Sequence, residues 1–413
     1  MQSPVNILVF NCGSSSLTYK LYTISGLESL QVILSGKAHR VGVKGTKPSF
    51  IEHHYNAEMK KDTRHIRNHR EAADLVLDFV EGQQLSIDLV GHRFVHGGHH
   101  FDRATLINER TREKLQLCLP LAPIHNPMSL EVIQECETRL PAAQQYVTFD
   151  TAFHSTLPDH AYTYALPKSI RERFAFRKYG FHGLSYSYVT QAASDFLDTP
   201  LTDLKIIACH LGTGGSSVAA IKGGCSTDTS MGYSPLPGLI MSTRCGDIDP
   251  TLALYLMAVY GCRPEEVEKA FNKMSGLLGV SGISSDIRDL VQFLTDYPDE
   301  GEQAQLALNM YTRRLKKYVG SYVLALQGLD LLIFTDDIGV QNPFIRERIC
   351  EEMEWCGLAL DREKNQGATP DTLCDLTHKD SAVRVLSIPN DEEIVICREG
   401  VRLAAGGNHA FAN

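Results

Sequence analysis

The chain has 413 residues, 43% hydrophobic and 22% charged, with 32 glycines and 17 prolines, which excludes a disordered, collagen-like or fibrous protein. Its net charge of −9 argues against a binder of nucleic-acid backbones, which need a basic face. At roughly 150 residues per domain, the length predicts two or three domains.

From the N-terminus, no basic segment precedes the short apolar run at 7–10, so the start does not read as a signal peptide. Residues 5–10 predict a buried strand, and Asn11-Cys12-Gly13-Ser14-Ser15-Ser16 is turn chemistry. Leu17, Tyr19 and Leu21 then alternate with Thr18, Lys20 and Tyr22 on a returning strand. Ala72, Ala73, Val76, Leu77 and Val80 share one side of a helix over 71–80. Around 91–100, Arg93 and Val95 alternate with Phe94 on a strand before two glycines turn the chain. A strand at 146–149 ends in Asp150-Thr151, and Tyr179-Gly180-Phe181-His182-Gly183 precedes a helix starting near Ser185.

The opening hairpin pattern then recurs. Residues 205–209 are apolar, 210–217 form a Gly/Ser-rich turn, and 218–221 return. Asp249-Pro250 caps and opens a helix over 251–259. Ser284-Ser285-Asp286 caps another through Leu294, 302–326 is a long amphipathic helix, and Asn390-Asp391-Glu392-Glu393 opens a last one through Ala404. Alternating strands and helices predict an α/β fold. The repeated hairpin predicts a duplicated architecture with two phosphate-sized loops facing each other, divided just after Asp150. No stretch approaches the ~18 apolar residues of a spanning helix. Eleven cysteines without a C-x-x-C pair predict reduced thiols and a cytosolic location.

Several segments are candidates for chemistry, each with a plainer alternative. The turn at 11–16 offers N–H groups and hydroxyls to anionic oxygens, or is simply a hairpin turn. Arg93 suits bidentate capture of a carboxylate or phosphate, or is a surface arginine. The histidines near it lack an HExxH motif or a cysteine partner at ligand spacing, which argues against zinc. Asp150 stands at the carboxyl end of a strand, where open α/β sheets build sites. His182 lies between glycines, either to meet an anion or as loop structure. Arg244 precedes a capped helix N-terminus, a junction that favours negative charge. Two arginines, two Gly/Ser turns and strand-end acids together point to phosphoryl transfer with a metal.

In order along the chain, segments 11–16, 90–98, 122–127, 149–154, 179–183, 210–217, 241–250, 275–290 and 389–399 resemble the acetate kinase family, within the acetate and sugar kinase/actin superfamily. The resemblance implies two duplicated ribonuclease-H-like (actin-like ATPase) domains with an interdomain cleft. The first would be 1–150, joined by a C-terminal helix at about 394–413. The second, 151–393, would carry the nucleotide or pyrophosphate side. A cytoplasmic homodimer acting on acetate and acetyl phosphate is also implied, with no nucleic-acid or membrane partner. Its cofactor would be Mg²⁺ or Mn²⁺, and its cosubstrate ATP/ADP or pyrophosphate/phosphate.

Carried over by residue, Arg93 and Arg244 would grip acetate and the phosphoryl group, and His182 and His210 would stabilise equatorial oxygens. Asn11 and Glu392 resemble magnesium-site residues, and Asp150 the essential acid. Val95, Ile124, Phe181 and Pro235 resemble the methyl pocket. Ser14, Ser16, Lys20, Gly212, Thr213, Gly214, Asp286, Arg288 and Gly339, with His210, would meet phosphate or nucleotide. Acetate, with a pKa of roughly 4 to 5, is already a nucleophile at neutral pH and needs no general base. Asp150 is therefore expected to orient Arg93 or a metal-bound water.

The chain also departs from the family pattern. Thr18 stands where lysine is usual, with Lys20 two residues on. Thr213 replaces asparagine, and a glycine is added at Gly214-Gly215. At 334–342 a Gly-Ile-Gly-Glu-Asn pattern is usual, and Asp337 and Val340 replace its first glycine and its glutamate. These departures resemble a minor branch exchanging phosphate and pyrophosphate; the alternative is drift around a working adenosine site. Propionate or another short carboxylate as substrate, a polyol kinase, and a non-catalytic actin-like ATP-binding module complete the readings.

Overall fold

The computed structural model describes residues 4–25, 29–43, 45 and 47–406. They divide into two compact units: one runs to Phe153 and resumes at Asp391, and the other is His154–Asn390.

In the first unit the apolar run becomes β1 (Val5–Cys12), with Ile7, Leu8, Val9 and Phe10 all buried. Burial on both faces explains why the run does not alternate. The chain turns at 13–15 into β2 (Ser16–Ser25), whose antiparallel register sets Asn11 opposite Thr18. Strands β3 (Ser29–His39), β4 (Phe50–Tyr55), β5 (Glu58–Thr63), β6 (Leu89–Phe94), β7 (Thr105–Leu106) and β8 (Gln144–Phe149) complete a sheet of order β5-β4-β3-β2-β1-β6-β8-β7. Because β1, β6 and β8 run parallel, Asn11, Arg93 and Asp150 arrive together at their carboxyl ends.

Helix His69–Gly82, capped by Asn68, buries Ala72, Val76 and Val80 against Leu8, Phe10 and Tyr19. Each buried valine, leucine or phenylalanine among them contributes about 1.5–3 kcal/mol by leaving water. Helix Glu392–Ala404 returns to this unit. There the Tyr146 hydroxyl donates to the Ile396 carbonyl at 2.8 Å. Gly91 and Gly400 make the approach possible, since a Cβ at either would lie 2.3 or 2.4 Å from the phenol oxygen.

The second unit contains β9 (Lys205–Gly212), β10 (Gly215–Lys222), β11 (Cys225–Thr229), β12 (Leu331–Thr335), β13 (Cys374–Asp375) and β14 (Arg384–Ser387). Their order is β11-β10-β9-β12-β14-β13, with β9, β12 and β14 parallel. The run β3-β2-β1-β6-β8 is thus repeated as β11-β10-β9-β12-β14, the duplication expected from the two hairpins. Helix Glu302–Leu326 covers it, packing Leu308, Tyr311, Leu315 and Val319 into one core with Ile207 and Val218.

Several boundaries differ from the sequence reading. The first unit continues past Asp150 to Phe153, into the 3₁₀ turn Ala152–Thr156 that follows β8. It also takes Asp391, Glu392 and Glu393, which 151–393 had assigned to the second domain, because Lys20 of β2 pairs with Asp391. The second hairpin turn is only Thr213-Gly214; His210 to Gly212 lie in β9, since their backbones pair with Ser217 to Gly215. The last helix starts at Glu392, and the expected end at 407–413 lies outside the described residues. No helix of the described residues is long and apolar enough to cross a membrane, and the cysteines are free thiols.

Candidate active site

On the first unit, the Arg93 guanidinium meets Asp150 twice, Nε to Oδ1 at 2.8 Å and Nη2 to Oδ2 at 2.6 Å. Its remaining nitrogen, Nη1, donates to Asn11 Oδ1 at 2.9 Å and lies 3.6 Å from Glu392. Burial works against the arginine's charge, but Asp150 and Glu392 outweigh it and raise its pKa above the ordinary value. The Asn11 amide nitrogen donates to both Glu392 and Glu393, at 3.0 and 2.8 Å. Those two hydrogen bonds to carboxylates fix the amide so that its oxygen faces Arg93. Glu393 was not foreseen as a site residue; only its place beside Glu392 in a helix's first turn hinted at it. Burial raises its pKa, against the pull of Lys20.

The bidentate pair uses both Asp150 oxygens, which leaves this carboxylate an orienting role and makes it a poor proton acceptor. Val95 follows β6 and is buried, whereas Ile124, also expected in the methyl pocket, is about half exposed at 49%. Ser14 is exposed on the first turn, and Ser16 opens β2, its carbonyl taking the Gly13 N–H at 2.9 Å. Lys20 differs from expectation. Its ammonium lies 2.8 Å from Asp391 and 3.4 Å from Glu393, so it is already neutralised and pins the last helix. Burial works against its charge, and the Glu393 and Asp391 carboxylates outweigh it and raise its pKa.

On the second unit, His182 and His210 stack with ring centroids 3.9 Å apart and planes 23° from parallel. His182 Nδ1 is 2.8 Å from Ser217 Oγ, and His210 Nδ1 is 2.9 Å from Ser185 Oγ. His210 Nε2 lies 3.0 Å from Asp336 Oδ2. An imidazole held at Nδ1 by a hydroxyl can direct its Nε2–H at an anion, and in His210 the anion at that position is the Asp336 carboxylate. Arg244 donates to the Pro235 carbonyl at 3.4 Å and approaches the Met241 sulfur, and meets no carboxylate among the described residues. Burial pulls its pKa below the ordinary value. A Cβ at Gly215 would stand 3.0 Å from its Nη1, so this glycine leaves the guanidinium room beside the hairpin. Phe181 is buried and Pro235 partly so.

The segment after β12 is the short helix Asp336–Gln341, where the family pattern is expected to turn. Asp337 accepts from the Thr213 N–H at 2.8 Å and from its hydroxyl at 2.7 Å. Thr213, expected at a phosphate, therefore has both donors on a carboxylate. A Cβ on neighbouring Gly214 would meet nothing within 4 Å, while one on Gly212 would strike Asp336 Oδ2 at 2.0 Å. Gly339, expected beside a nucleotide, is buried with its carbonyl on Arg346 Nη1 at 2.9 Å. Asp286 caps helix Ile287–Asp296 and holds Arg288 at 2.6 Å, so both expected phosphate contacts are engaged with each other.

Among the described residues, no three His, Cys, Asp or Glu side chains are grouped to hold a metal. Mg²⁺ commonly takes one or two carboxylates, substrate phosphates and water rather than an all-protein cage. The Glu392 carboxylate and the Asn11 amide oxygen suit that donor set.

A profile of the Acetokinase family matches residues 6–398. The acetate kinase of Caldicellulosiruptor saccharolyticus is 41% identical over 406 residues, covering 97% of this chain and 99% of that one. The crystal structure of acetate kinase from Entamoeba histolytica is 44% identical with a TM-score of 0.86, covering 96% and 98%. That of a propionate kinase from Francisella tularensis is 34% identical with a TM-score of 0.85, also covering 96% and 98%.

Proposed function

The chain belongs to the acetokinase family, phosphotransferases with a carboxyl group as acceptor, and on that premise we propose that its phosphoryl partner is orthophosphate/pyrophosphate rather than ADP/ATP. An oxygen of orthophosphate attacks the phosphorus of acetyl phosphate in line. The P–O bond to the acyl group breaks, and acetate leaves with the electron pair. Pyrophosphate keeps the proton that orthophosphate carried. In reverse, acetate attacks as the carboxylate it already is, without a general base.

Arg93, aligned by Asp150 and Asn11, grips the carboxylate. Arg244, His182 and His210 take the charge of the phosphoryl group in flight. Glu392 and Asn11 would hold Mg²⁺, which screens the repulsion between two anions. The observation that carries the choice of partner is Asp337 on Thr213. Its side chain and charge occupy the turn where the family's glycine would let a nucleoside approach. With Asp336 on His210, it adds a second negative charge that disfavours a nucleotide's longer phosphate chain.

The test is single-turnover reaction of the purified protein with acetyl phosphate and Mg²⁺, given either ADP or orthophosphate. Pyrophosphate is the expected product, and ATP alone would overturn the choice of partner. In the same assay Asp337→Gly should raise ADP use by about tenfold or more, as removal of a like charge and a side chain implies. A parallel arm with propionyl phosphate addresses the likeness to a propionate kinase, since one methylene changes binding by only ~1–3 kcal/mol.

A homodimer in a reducing cytoplasm completes this reading. Helix Pro250–Ala258 buries none of its residues, although Leu252, Leu254 and Tyr255 are apolar. Val259 and Tyr260 just beyond it are exposed as well, and a second copy would cover apolar side chains of this kind. Light scattering should give twice the chain mass, falling to one chain in Leu254→Glu/Tyr255→Glu; a monomeric wild type would refute the dimer.

A further inference from the structure

His154 opens the second unit and is fully buried, although no step of the reaction uses it. Its Nε2 lies 2.9 Å from the Phe181 carbonyl and its Nδ1 2.7 Å from Ser226 Oγ. A carbonyl only accepts, so Nε2 carries the proton and Nδ1 receives the Ser226 hydroxyl. Burial pushes the imidazole pKa down to about 4, which keeps this neutral tautomer at working pH.

The carbonyl it holds belongs to an unusual turn. Gly180 has φ of +72°, and a Cβ there would lie 2.5 Å from His154 Cδ2, so the ring packs directly on the glycine backbone. Two residues on, His182 adopts the left-handed conformation, φ 59° and ψ 24°, as the N-cap of helix Gly183–Leu197. That conformation is costly for a residue with a side chain and persists only where its surroundings impose it. From this backbone the His182 ring reaches Ser217 and stacks on His210.

We propose that His154 is a positioning residue: through the Phe181 carbonyl it holds the left-handed turn that sets His182 over His210 and seats the Phe181 side chain. The proposal rests on the acetate kinase reading above, in which His182 and His210 act on the phosphoryl group.

Two isosteric amides separate its two bonds. In His154→Gln the side-chain amide N–H takes the place of Nε2 and keeps the Phe181 bond. In His154→Asn the amide reaches only the place of Nδ1 and loses it. The Gln variant should keep kcat within about threefold of wild type, and the Asn variant should lose about tenfold or more, as for a misplaced transition-state donor. In a His182→Ala background the two should become indistinguishable, because the residue they position is gone. Equal activity of the two in the wild-type background, or an undiminished gap between them in His182→Ala, would overturn the proposal. Acetate kinase activity unaffected by His182→Ala would instead fail the underlying reading of the site.

Discussion

Arg93→Ala is expected to lower kcat/KM for acetate by about 10²–10³-fold or more, the loss seen when a fixed transition-state donor is removed. The side chain also neutralises Asp150, which is only 1% exposed. Leaving that carboxylate without its guanidinium should cost about 3–5 kcal/mol of stability, as for other broken buried pairs. Activity must therefore be measured beside a thermal melt. Arg93→Lys should not rescue it, since an ammonium cannot span both Asp150 oxygens and still reach Asn11. The pairing of Arg93→Met with Asp150→Leu provides the control. Removing both charges should return much of the stability while leaving the enzyme inactive. A wild-type kcat in Arg93→Ala would end the clamp reading.

Asp150→Asn should lose about 10²-fold or more in kcat, although it changes one atom and almost no volume. The carboxylate accepts from Arg93 Nε and Nη2 at once. An amide accepts at one of those positions and presents N–H to N–H at the other, so the guanidinium must rotate or tilt. With its counter-charge gone, Arg93 would also be drawn toward Glu392, now 3.6 Å away. The variant should keep its pH dependence if, as proposed, Asp150 orients and does not abstract. Retention of most activity would refute the orienting role and the essential-acid assignment together. Loss of a limb of the wild-type pH profile would instead indicate proton transfer through Asp150.

The two sets of site residues differ in how far the sequence revealed them. Asn11, Arg93 and Asp150 were legible because each follows a short apolar strand, and parallel strands bring such positions to one end of a sheet. Glu392 was legible only through the resemblance, since nothing local ties a helix near the C-terminus to the first strand. Its partner Glu393 was not foreseen. Adjacent residues on a helix ordinarily point apart, and only the Asn11 amide lying between them lets both accept. Lys20 shows what spacing leaves out. Its spacing from Thr18 put it on the correct strand face, yet the anions it meets are Asp391 and Glu393, more than three hundred residues away in the chain.

His154 went unassigned in a segment singled out for Asp150, because a buried histidine bonded to a backbone carbonyl leaves no trace in spacing. Similarly, the sequence shows Asp337 only in the place of a glycine, whereas its grip on Thr213 depends on the short helix Asp336–Gln341.

The sequence by itself determined the α/β class, the repeated hairpin, the long helix at 302–326 and the family, because these rest on periodicity, caps and turns that act over a few residues. Tertiary structure decided where each charge finds its partner. Ion pairing depends on distances of 3–4 Å between side chains remote in the chain, and only the folded sheets set those distances.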